Sequence, residues 1–237
     1  MQWLGPHVCL LQTDRVAGYS EGTLGALNLA THVGDRAAHV HANRARLRRR
    51  WQWAHEPAWL TQIHSTIVVK APLAEAAVEA DAAWTDVPGQ PVVVMTADCL
   101  PVVFFSEHRA VVGVAHAGWR GLLDGVLENT VNALGGDELY AWLGPCIGPQ
   151  DFEIGAEVRE QFVTHDPATE RFFTQGIAID KYLGDLHGIA AHRLANIGVD
   201  VCGRDVRSTL CDPALFSHRK DAGQSGRMAT IAWISSP

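Results

Sequence analysis

Three residues that can bind transition metals or take part in nucleophilic catalysis lie on separate segments of the sequence. His64, Cys99 and His116 are spaced 35 and 17 residues apart. A thiolate and neutral imidazoles are good zinc or copper ligands, and a cysteine with a histidine can also serve as a nucleophile and its base. Such long spacings differ from the close ligand pairs of zinc fingers and suit a catalytic metal site. The residues therefore leave two chemistries open, a bound metal and a cysteine nucleophile.

Three short apolar runs position this cysteine and the second histidine. The runs span residues 92–99, 102–105 and 111–116 and are rich in β-branched side chains, which predicts buried strands. Cys99 ends the first run and His116 ends the third. An arbitrary cysteine or histidine is more often a core residue, but side chains at strand ends beside glycine-rich turns reach clefts. Their position therefore favours a functional site.

The rest of the sequence predicts further strands and helices around these runs. Asp35 is the predicted N-cap of the first helix, and the arginines of that helix predict a solvated face. We find no internal repeat and no linker, which predicts one domain over residues 1–237. The predicted strands are 8–11, 59–69 (with His64 at its start or within it), 80–84, 139–143, 199–202 and 228–234, and the predicted helices are 35–54, 122–134, 154–162 and 186–194.

Composition narrows the class of protein. The 237 residues are 47% apolar and 19% charged, which supplies a large core, and the net charge of −7 argues against a nucleic-acid partner. Five cysteines at long spacings predict a reducing compartment rather than a disulfide framework. The sequence shows no signal peptide and no apolar run of about 20 residues. We therefore expect a soluble, cytoplasmic protein that does not associate with membranes.

Several long motifs give the sequence a resemblance to a known family. The longest are Thr96-Ala-Asp-Cys-Leu-Pro101, His116-Ala-Gly-Trp-Arg-Gly121, and Leu143-Gly-Pro-Cys-Ile-Gly-Pro149 with Phe152-Glu-Ile-Gly155. Shorter pieces are Leu27-Asn-Leu29, Gly34-Asp35, Asn43-Arg44, Gln62-Ile-His64, Phe216-Ser217 with Arg219, and Gly226-Arg227. Over nearly its whole length the chain resembles the bacterial laccase-domain family, which is described as polyphenol oxidoreductases, as purine nucleoside phosphorylase-like proteins and as peptidoglycan editing factors.

This resemblance implies a fold, a metal and an activity. The implied fold is α+β, a four-layer α-β-β-α sandwich with mixed β-sheets. The implied metal is zinc (Zn²⁺), held by residues matching His64, Cys99 and His116, with copper as an alternative in vitro. The implied activity is phosphorolysis of adenosine, inosine, guanosine and methylthioadenosine, together with adenosine deamination. The expected partners are thus a nucleoside and phosphate. The expected oligomeric state is a monomer or a small homo-oligomer.

Roles for the polar residues follow from combining this reaction with the sequence. Arg120, just after the glycine-rich turn, is predicted to bind phosphate as a bidentate fork, with Arg44 and Arg219 as second candidates. Asp98 is predicted to relay a proton or to orient a ligand histidine, acting with Cys99 and His116 in catalysis. The substrate-binding residues implied by the resemblance also include Asn28 and Gln62.

The sequence departs from the family pattern at several positions. Ala17 replaces a common glycine, Ser65 replaces the usual glycine after the ligand histidine, Gln150-Asp151 stands where paired cysteines are common, and His218 stands where tyrosine is common. None of these positions is a predicted metal ligand, so we expect the departures to affect substrate preference rather than the metal.

Three other functions were weighed against the zinc phosphorylase. In a metal-free amide hydrolase that edits peptidoglycan precursors, Cys99 would be the nucleophile and His116 its base. A copper-dependent polyphenol oxidase would need several His-x-His pairs, and the chain has one, His39 and His41, on a predicted helix where the two point to different faces. The third alternative is a protein that binds a ligand without catalysing a reaction.

Overall fold

Two β-sheets packed face to face form the centre of the molecule. A computed structural model of the chain describes residues 1–75, 77–136 and 138–235. The first sheet is antiparallel and contains, in spatial order, β1 (Gln2–Leu4), β2 (Val8–Gln12), β13 (Met228–Ile234) and β5 (Val92–Thr96). The second sheet is mixed and contains β12 (Asp200–Arg204), β8 (Leu139–Leu143), β6 (Leu100–Ser106), β7 (Val112–Ala117), β4 (Ala82–Thr85) and β3 (Val68–Lys70). A small antiparallel sheet contains β10 (Phe173–Gln175), β11 (Lys181–Gly184) and β9 (Glu153–Gly155).

Helices cover the outer faces of the two large sheets. They are α1 (Ala37–Trp51), α2 (Trp119–Asp124), α3 (Val126–Ala133), α4 (Ala156–His165) and α5 (Leu186–Asn196), with short 3₁₀ segments at Gly22–Leu24 and Pro167–Phe172. Leu47 of α1 packs in the core on the outer face of the first sheet, whereas Leu127 of α3 and Ile189 of α5 pack in the core on the outer face of the second. The layers therefore run helix, sheet, sheet, helix, and the predicted four-layer sandwich is confirmed.

Strand β6 shows why the central runs are apolar throughout. Val102 and Phe104 belong to the core beneath the helices, whereas Val103 and Phe105 belong to the core between the two large sheets. Successive side chains of a strand point to opposite faces, so a strand buried on both faces reads as a continuous apolar run. Cys99 directly precedes this buried strand, which gives it a rigid support.

Two of the sequence-based elements are wrong in part. Of the predicted strand 59–69, only its last two residues belong to a strand, β3, and His64 lies in a turn with φ of 60°. The backbone N–H groups of this turn bond to a buried carboxylate instead of a neighbouring strand. The predicted helix 122–134 begins earlier, at Trp119, and is divided by Gly125, whose φ of 101° interrupts the helical path.

The boundaries of two more helices differ, and three further strands besides β9 were missed. Arg36 rather than Asp35 is at the N-cap position of α1, because the Asp35 carboxylate instead accepts hydrogen bonds from Ser20 and Asn28. The segment predicted as a helix from residue 154 first forms part of β9, and α4 begins only at residue 156. The sequence did not predict β1, β10 or β11. Within the described ranges, no helix is both long and apolar enough to cross a bilayer.

Replacing Phe104 with alanine will lower the free energy of unfolding by about 3–5 kcal/mol, because it removes an aromatic side chain with no solvent exposure from the core beneath the helices. Ile177→Ala is the control, since Ile177 is fully exposed and its loss should change stability by less than about 0.5 kcal/mol. Urea denaturation followed by circular dichroism measures both. Equal losses in the two variants would contradict the assigned core.

Candidate metal centre

His64, Cys99 and His116 meet at one end of the second sheet. Their ligand atoms all lie within 4.8 Å of one another, and Cys99 Sγ is 3.9 Å from His64 Nε2. Donor atoms around one tetrahedral zinc ion lie about 3.4–3.6 Å apart at ordinary Zn–N and Zn–S distances. The observed donors stand somewhat wider apart than this, and one sulfur with two imidazoles is a donor set that could hold a zinc ion with a fourth position left for substrate or water.

The backbone brings the three donors together from different elements. Cys99 lies in the turn between β5 and β6, and His116 lies on β7 directly across from Pro101 of β6. His64 lies in the turn before β3, and its ring is 4.8 Å from the ring of His116, centroid to centroid, in an edge-on arrangement. One donor thus lies on a strand, and turns supply the other two.

The buried carboxylate of Asp81 fixes both histidines. Asp81 has no solvent exposure, and its Oδ1 accepts a hydrogen bond from His116 Nδ1 (2.8 Å). This bond leaves Nε2 of His116 as the metal-binding nitrogen, an arrangement that is typical of metal-bound histidine. The same carboxylate accepts bonds from the backbone N–H groups of Ile63 (3.2 Å), His64 (3.1 Å) and Ser65 (2.6 Å) and from the Ser65 hydroxyl (2.7 Å).

These bonds explain the backbone of His64. Its φ of 60° lies in the left-handed region, which costs a non-glycine residue about 1–2 kcal/mol. Three consecutive N–H groups that point at one carboxylate offset this cost. Ser65 adds its hydroxyl to the same carboxylate.

Asp98 has a different task from the one predicted. Its Oδ1 accepts a hydrogen bond from the Thr209 hydroxyl (2.6 Å), and its Oδ2 accepts one from the Arg219 backbone N–H (2.7 Å). Asp98 therefore ties the loop around residue 219 to the turn that carries Cys99. The prediction that Asp98 orients a ligand histidine is wrong, because Asp81 does so, and its role in proton transfer stays a prediction.

The site favours charge separation between its donors. Burial opposes ionisation of the Cys99 thiol, but the charge and hydrogen bonds of His116, with a further bond from His64, lower the pKa of Cys99 to about 6. Burial likewise opposes a charge on His116, yet the Cys99 thiolate and Asp81 raise the pKa of His116 to about 9. Burial also opposes the Asp81 carboxylate, and bonds from His116 and Ser65 hold its pKa at about 2. Without metal, the site therefore favours a thiolate beside an imidazolium.

Gly118 gives the donors the room that they need. A Cβ atom at this position would lie 2.9 Å from His64 Cδ2 and 3.0 Å from Cys99 Sγ. Both distances are shorter than ordinary contacts between carbon and these atoms, so a side chain at residue 118 would displace two of the three donors.

The donors open into a pocket of about 190 Å³. Of the five predicted substrate-binding residues, Gln62 is the one that lines this pocket. Its side chain donates to the Met95 carbonyl (2.8 Å) and accepts from the Met95 N–H (2.8 Å), so it fixes the loop before His64 to β5. The other polar residues of the wall, which were not among the predicted site residues, are His32, Thr96, His218 and Arg227.

Asn28 and Arg44 lie behind the pocket wall and bind the backbone. Asn28 is fully buried, and its Oδ1 accepts hydrogen bonds from the backbone N–H groups of Ala30 and Arg227. Arg44 donates twice to the Leu29 carbonyl (3.0 and 2.8 Å), and its guanidinium lies 3.9 Å from the Trp59 ring centroid. The prediction of a solvated face therefore fails at Arg44, and burial lowers its pKa to about 10.

Arg120 and Arg219 lie outside the pocket wall. Arg120 is exposed, with its guanidinium 4.4 Å from the ring centroid of Trp119. Arg219 is also exposed and donates to the Glu153 carbonyl (2.6 Å). The structure places Arg227, rather than Arg120 or Arg219, in the wall of the pocket that contains the metal donors, and the phosphate-binding roles of Arg120 and Arg219 stay predictions. The signal of Arg227 in the sequence was the Gly226-Arg227 piece of the family resemblance.

Residues 9–235 match the family model of multi-copper polyphenol oxidoreductase laccases. The chain belongs to this family. It is 42% identical to the protein named purine nucleoside phosphorylase YfiH of Escherichia coli K12, over 98% of this chain and 97% of that protein. It is 40% identical to purine nucleoside phosphorylase PA4543 of Pseudomonas aeruginosa, over 98% of this chain and 96% of that protein.

Solved structures share the fold of this family member. Protein NMB0706 of Neisseria meningitidis superposes with a TM-score of 0.93 at 40% identity, covering 99% of this chain and 98% of that one. Hypothetical protein YfiH of Bacillus licheniformis superposes with a TM-score of 0.90 at 26% identity, covering 96% of this chain and 93% of that one.

Asp81→Asn will weaken zinc binding by about 10–100-fold, because an amide nitrogen cannot accept the bonds that orient His116 and the His64 turn. The same change will lower the free energy of unfolding by about 1–3 kcal/mol. Asp86→Asn is the control, since the exposed Asp86 pairs with Lys70 at the surface. Competitive titration against a zinc chelator measures both variants. Unchanged affinity in Asp81→Asn would show that the carboxylate does not support the site.

Proposed function

We propose that this chain is a zinc-dependent purine nucleoside phosphorylase. The observation that carries the proposal is the convergence of His64, Cys99 and His116 at the base of a pocket that opens beside Arg227. Relatives named purine nucleoside phosphorylase, 40–42% identical over almost the whole chain, support the reaction. The proposed substrates are adenosine, inosine, guanosine and methylthioadenosine with phosphate, and adenosine deamination is a proposed second activity.

The residues around the donors prepare the pocket for this chemistry. A zinc ion held by His64, Cys99 and His116 would supply a Lewis acid that polarises a substrate oxygen or lowers the pKa of water. Asp81 holds His116 in the tautomer that presents Nε2 to the pocket. Gln62 and Met95 close one side of the wall with two mutual hydrogen bonds, so the side chain of Gln62 shapes the pocket without moving.

A metal-free cysteine hydrolase is the second candidate. It is favoured by one observation, that Cys99, His116 and Asp81 stand in the order of a nucleophile, its base and the group that orients the base. The lowered pKa of Cys99 would supply a thiolate near neutral pH. This candidate would cleave an amide bond, as editing of a peptidoglycan precursor requires.

Copper oxidation has less support than either candidate, despite the family name. Multicopper centres need several groups of histidines, and the described residues contain one close group of three donors, His64, Cys99 and His116. His39 and His41 lie on α1, as predicted, and take no part in that group. The cytoplasmic location, the oligomeric state and a single domain spanning residues 1–237 stay predictions; residues 76, 137, 236 and 237 lie outside the described ranges.

Metal analysis combined with phosphate-dependent release of purine from adenosine tests the proposal. Wild-type protein should contain one zinc per chain and release adenine only when phosphate is present. His64→Ala should lose most of the zinc, and its turnover should fall at least about 100-fold, since the Lewis acid contributes several kcal/mol. Cys211→Ala, which removes an exposed thiol away from the donors, should keep both.

Chelation separates the two candidate functions. Removal of zinc should abolish nucleoside turnover, and added zinc should restore it. Activity that survives chelation but is lost when Cys99 is alkylated would instead identify the cysteine hydrolase. A His64→Ala variant with full zinc and full turnover would show that the ligand assignment is wrong.

A further inference from the structure

One wall of the metal pocket carries cationic and neutral donors. His32, His218 and Arg227 line it together with Thr96, and none of the described residues in this wall has a carboxylate. Side chains of this type are the usual ligands of oxyanions. The wall belongs to the first sheet and its loops, whereas Cys99 and His116 belong to the second sheet.

Arg227 is held in place by the backbone around it. Its Nη1 donates to the carbonyls of Ser225 (2.7 Å) and Gly226 (3.1 Å), and its Nη2 lies 3.4 Å from His218 Nδ1. Among the described residues Arg227 makes no salt bridge to a carboxylate, although the charges of Cys99 and Asp98 act on it and oppose the lowering of its pKa by burial. Nε and the second hydrogen of Nη2 remain for a bidentate bond to an oxyanion.

Thr96 supplies a separate indication of a ligand. It is 1% exposed, it lines the pocket, and within the described ranges its hydroxyl has no hydrogen-bond partner. Buried hydroxyl groups without partners are rare, since each costs about 1–3 kcal/mol. Thr96 pairs with Met228 across β5 and β13, so the unpaired hydroxyl lies next to the strand end that carries Arg227.

The charges around the wall agree with an oxyanion ligand beside Thr96 and Arg227. The pKa of His32 is lowered by its partial burial and by the positive charges of Arg227 and Arg44. Both arginines therefore place positive charge near His32, and of the two Arg227 lines the pocket.

We infer that Thr96, Arg227 and His218, with His32 at the edge, form an oxyanion subsite that holds phosphate beside the metal donors. This inference rests on the proposed phosphorylase function and names the residues that bind its second substrate. It replaces the sequence-based assignment of phosphate to Arg120, Arg44 and Arg219. The two substrates then meet between the sheets, with phosphate on the first sheet and the nucleoside next to the donors of the second.

The reaction at this subsite balances without another reactant. An oxygen of hydrogenphosphate forms a bond to the anomeric carbon of the ribose. The bond from that carbon to the purine nitrogen breaks, and its electron pair leaves with the purine. The proton of hydrogenphosphate passes to the purine, which gives free base and ribose 1-phosphate. Arg227 holds the dianion against the developing positive charge of the ribose ring.

Thr96→Val is the sharpest test, because valine has nearly the same shape and removes a hydroxyl that has no protein partner. The variant should unfold at the same temperature as the wild type or a higher one and should keep its zinc. Its KM for phosphate should rise about tenfold, while KM for the nucleoside at saturating phosphate stays within about twofold. A purely structural role for Thr96 would leave the KM for phosphate unchanged.

Arg227→Gln extends the test, with Arg49→Gln as the matched control that removes one positive charge from the exposed face of α1. Calorimetric titration with inorganic phosphate should show binding to the wild type and to Arg49→Gln, and at least about tenfold weaker binding to Arg227→Gln. Thr96→Val keeps the inference testable if Arg227→Gln fails to fold.

The outcomes distinguish this inference from the proposed function. Phosphorolysis with an unchanged KM for phosphate in both Thr96→Val and Arg227→Gln would overturn the subsite and leave the function standing. Phosphate binding that depends on both residues, without phosphorolysis, would support the subsite and reject the function. Titration with a nucleoside monophosphate separates the two sources of phosphate. Binding of that ligand alone, with none of inorganic phosphate, would overturn the assignment to a second substrate.

Discussion

A single buried carboxylate holds the metal centre together. Asp81 has no contact with water, and it accepts hydrogen bonds from the ring of His116 and from the backbone that bends around His64. A charge removed from water needs such partners, because an unpaired carboxylate in the interior is strongly unfavourable. The bonds that make burial of Asp81 tolerable are thus the bonds that orient two of the three donors. Folding and preparation of the site are the same event in this part of the molecule.

The second constraint on the site is that the two large sheets meet at the pocket. Cys99 directly precedes β6 and His116 lies on the adjacent strand β7 of the second sheet, and Thr96 and Arg227 lie at the adjacent strand ends of the first. The turn that contains Cys99 connects β5 of one sheet to β6 of the other, so it crosses the boundary at the pocket. Asp98 ties that turn to the loop around residue 219. The side of the second sheet therefore contributes the sulfur and imidazole donors, and the first sheet contributes the proposed oxyanion ligands.

The sequence predicted the parts of this arrangement that depend on local composition. The apolar runs predicted β5, β6 and β7 because both faces of these strands are buried, and the donor types of His64, Cys99 and His116 predicted the group of three side chains that could hold a metal ion. An apolar run does not show which distant side chain accepts the backbone hydrogen bonds of a turn. Residues 59–69 were therefore predicted as a strand. Asp81, Thr96 and Arg227 were missed for the same reason, since their roles come from burial and from cross-sheet neighbours. Arg120 was predicted to bind phosphate because it follows the glycine-rich turn at a helix start, but it lies on the exposed side of α2.

X-ray absorption at the zinc edge, recorded on zinc-loaded wild-type protein, tests the central claim that these three residues bind one ion together. The zinc-loaded protein should show a first shell of one sulfur, two imidazole nitrogens and one lighter ligand. The sulfur contribution should vanish in Cys99→Ser and persist in Cys202→Ser, whose thiol is exposed on β12. A wild-type spectrum without sulfur, or one that keeps its sulfur in Cys99→Ser, would contradict the account.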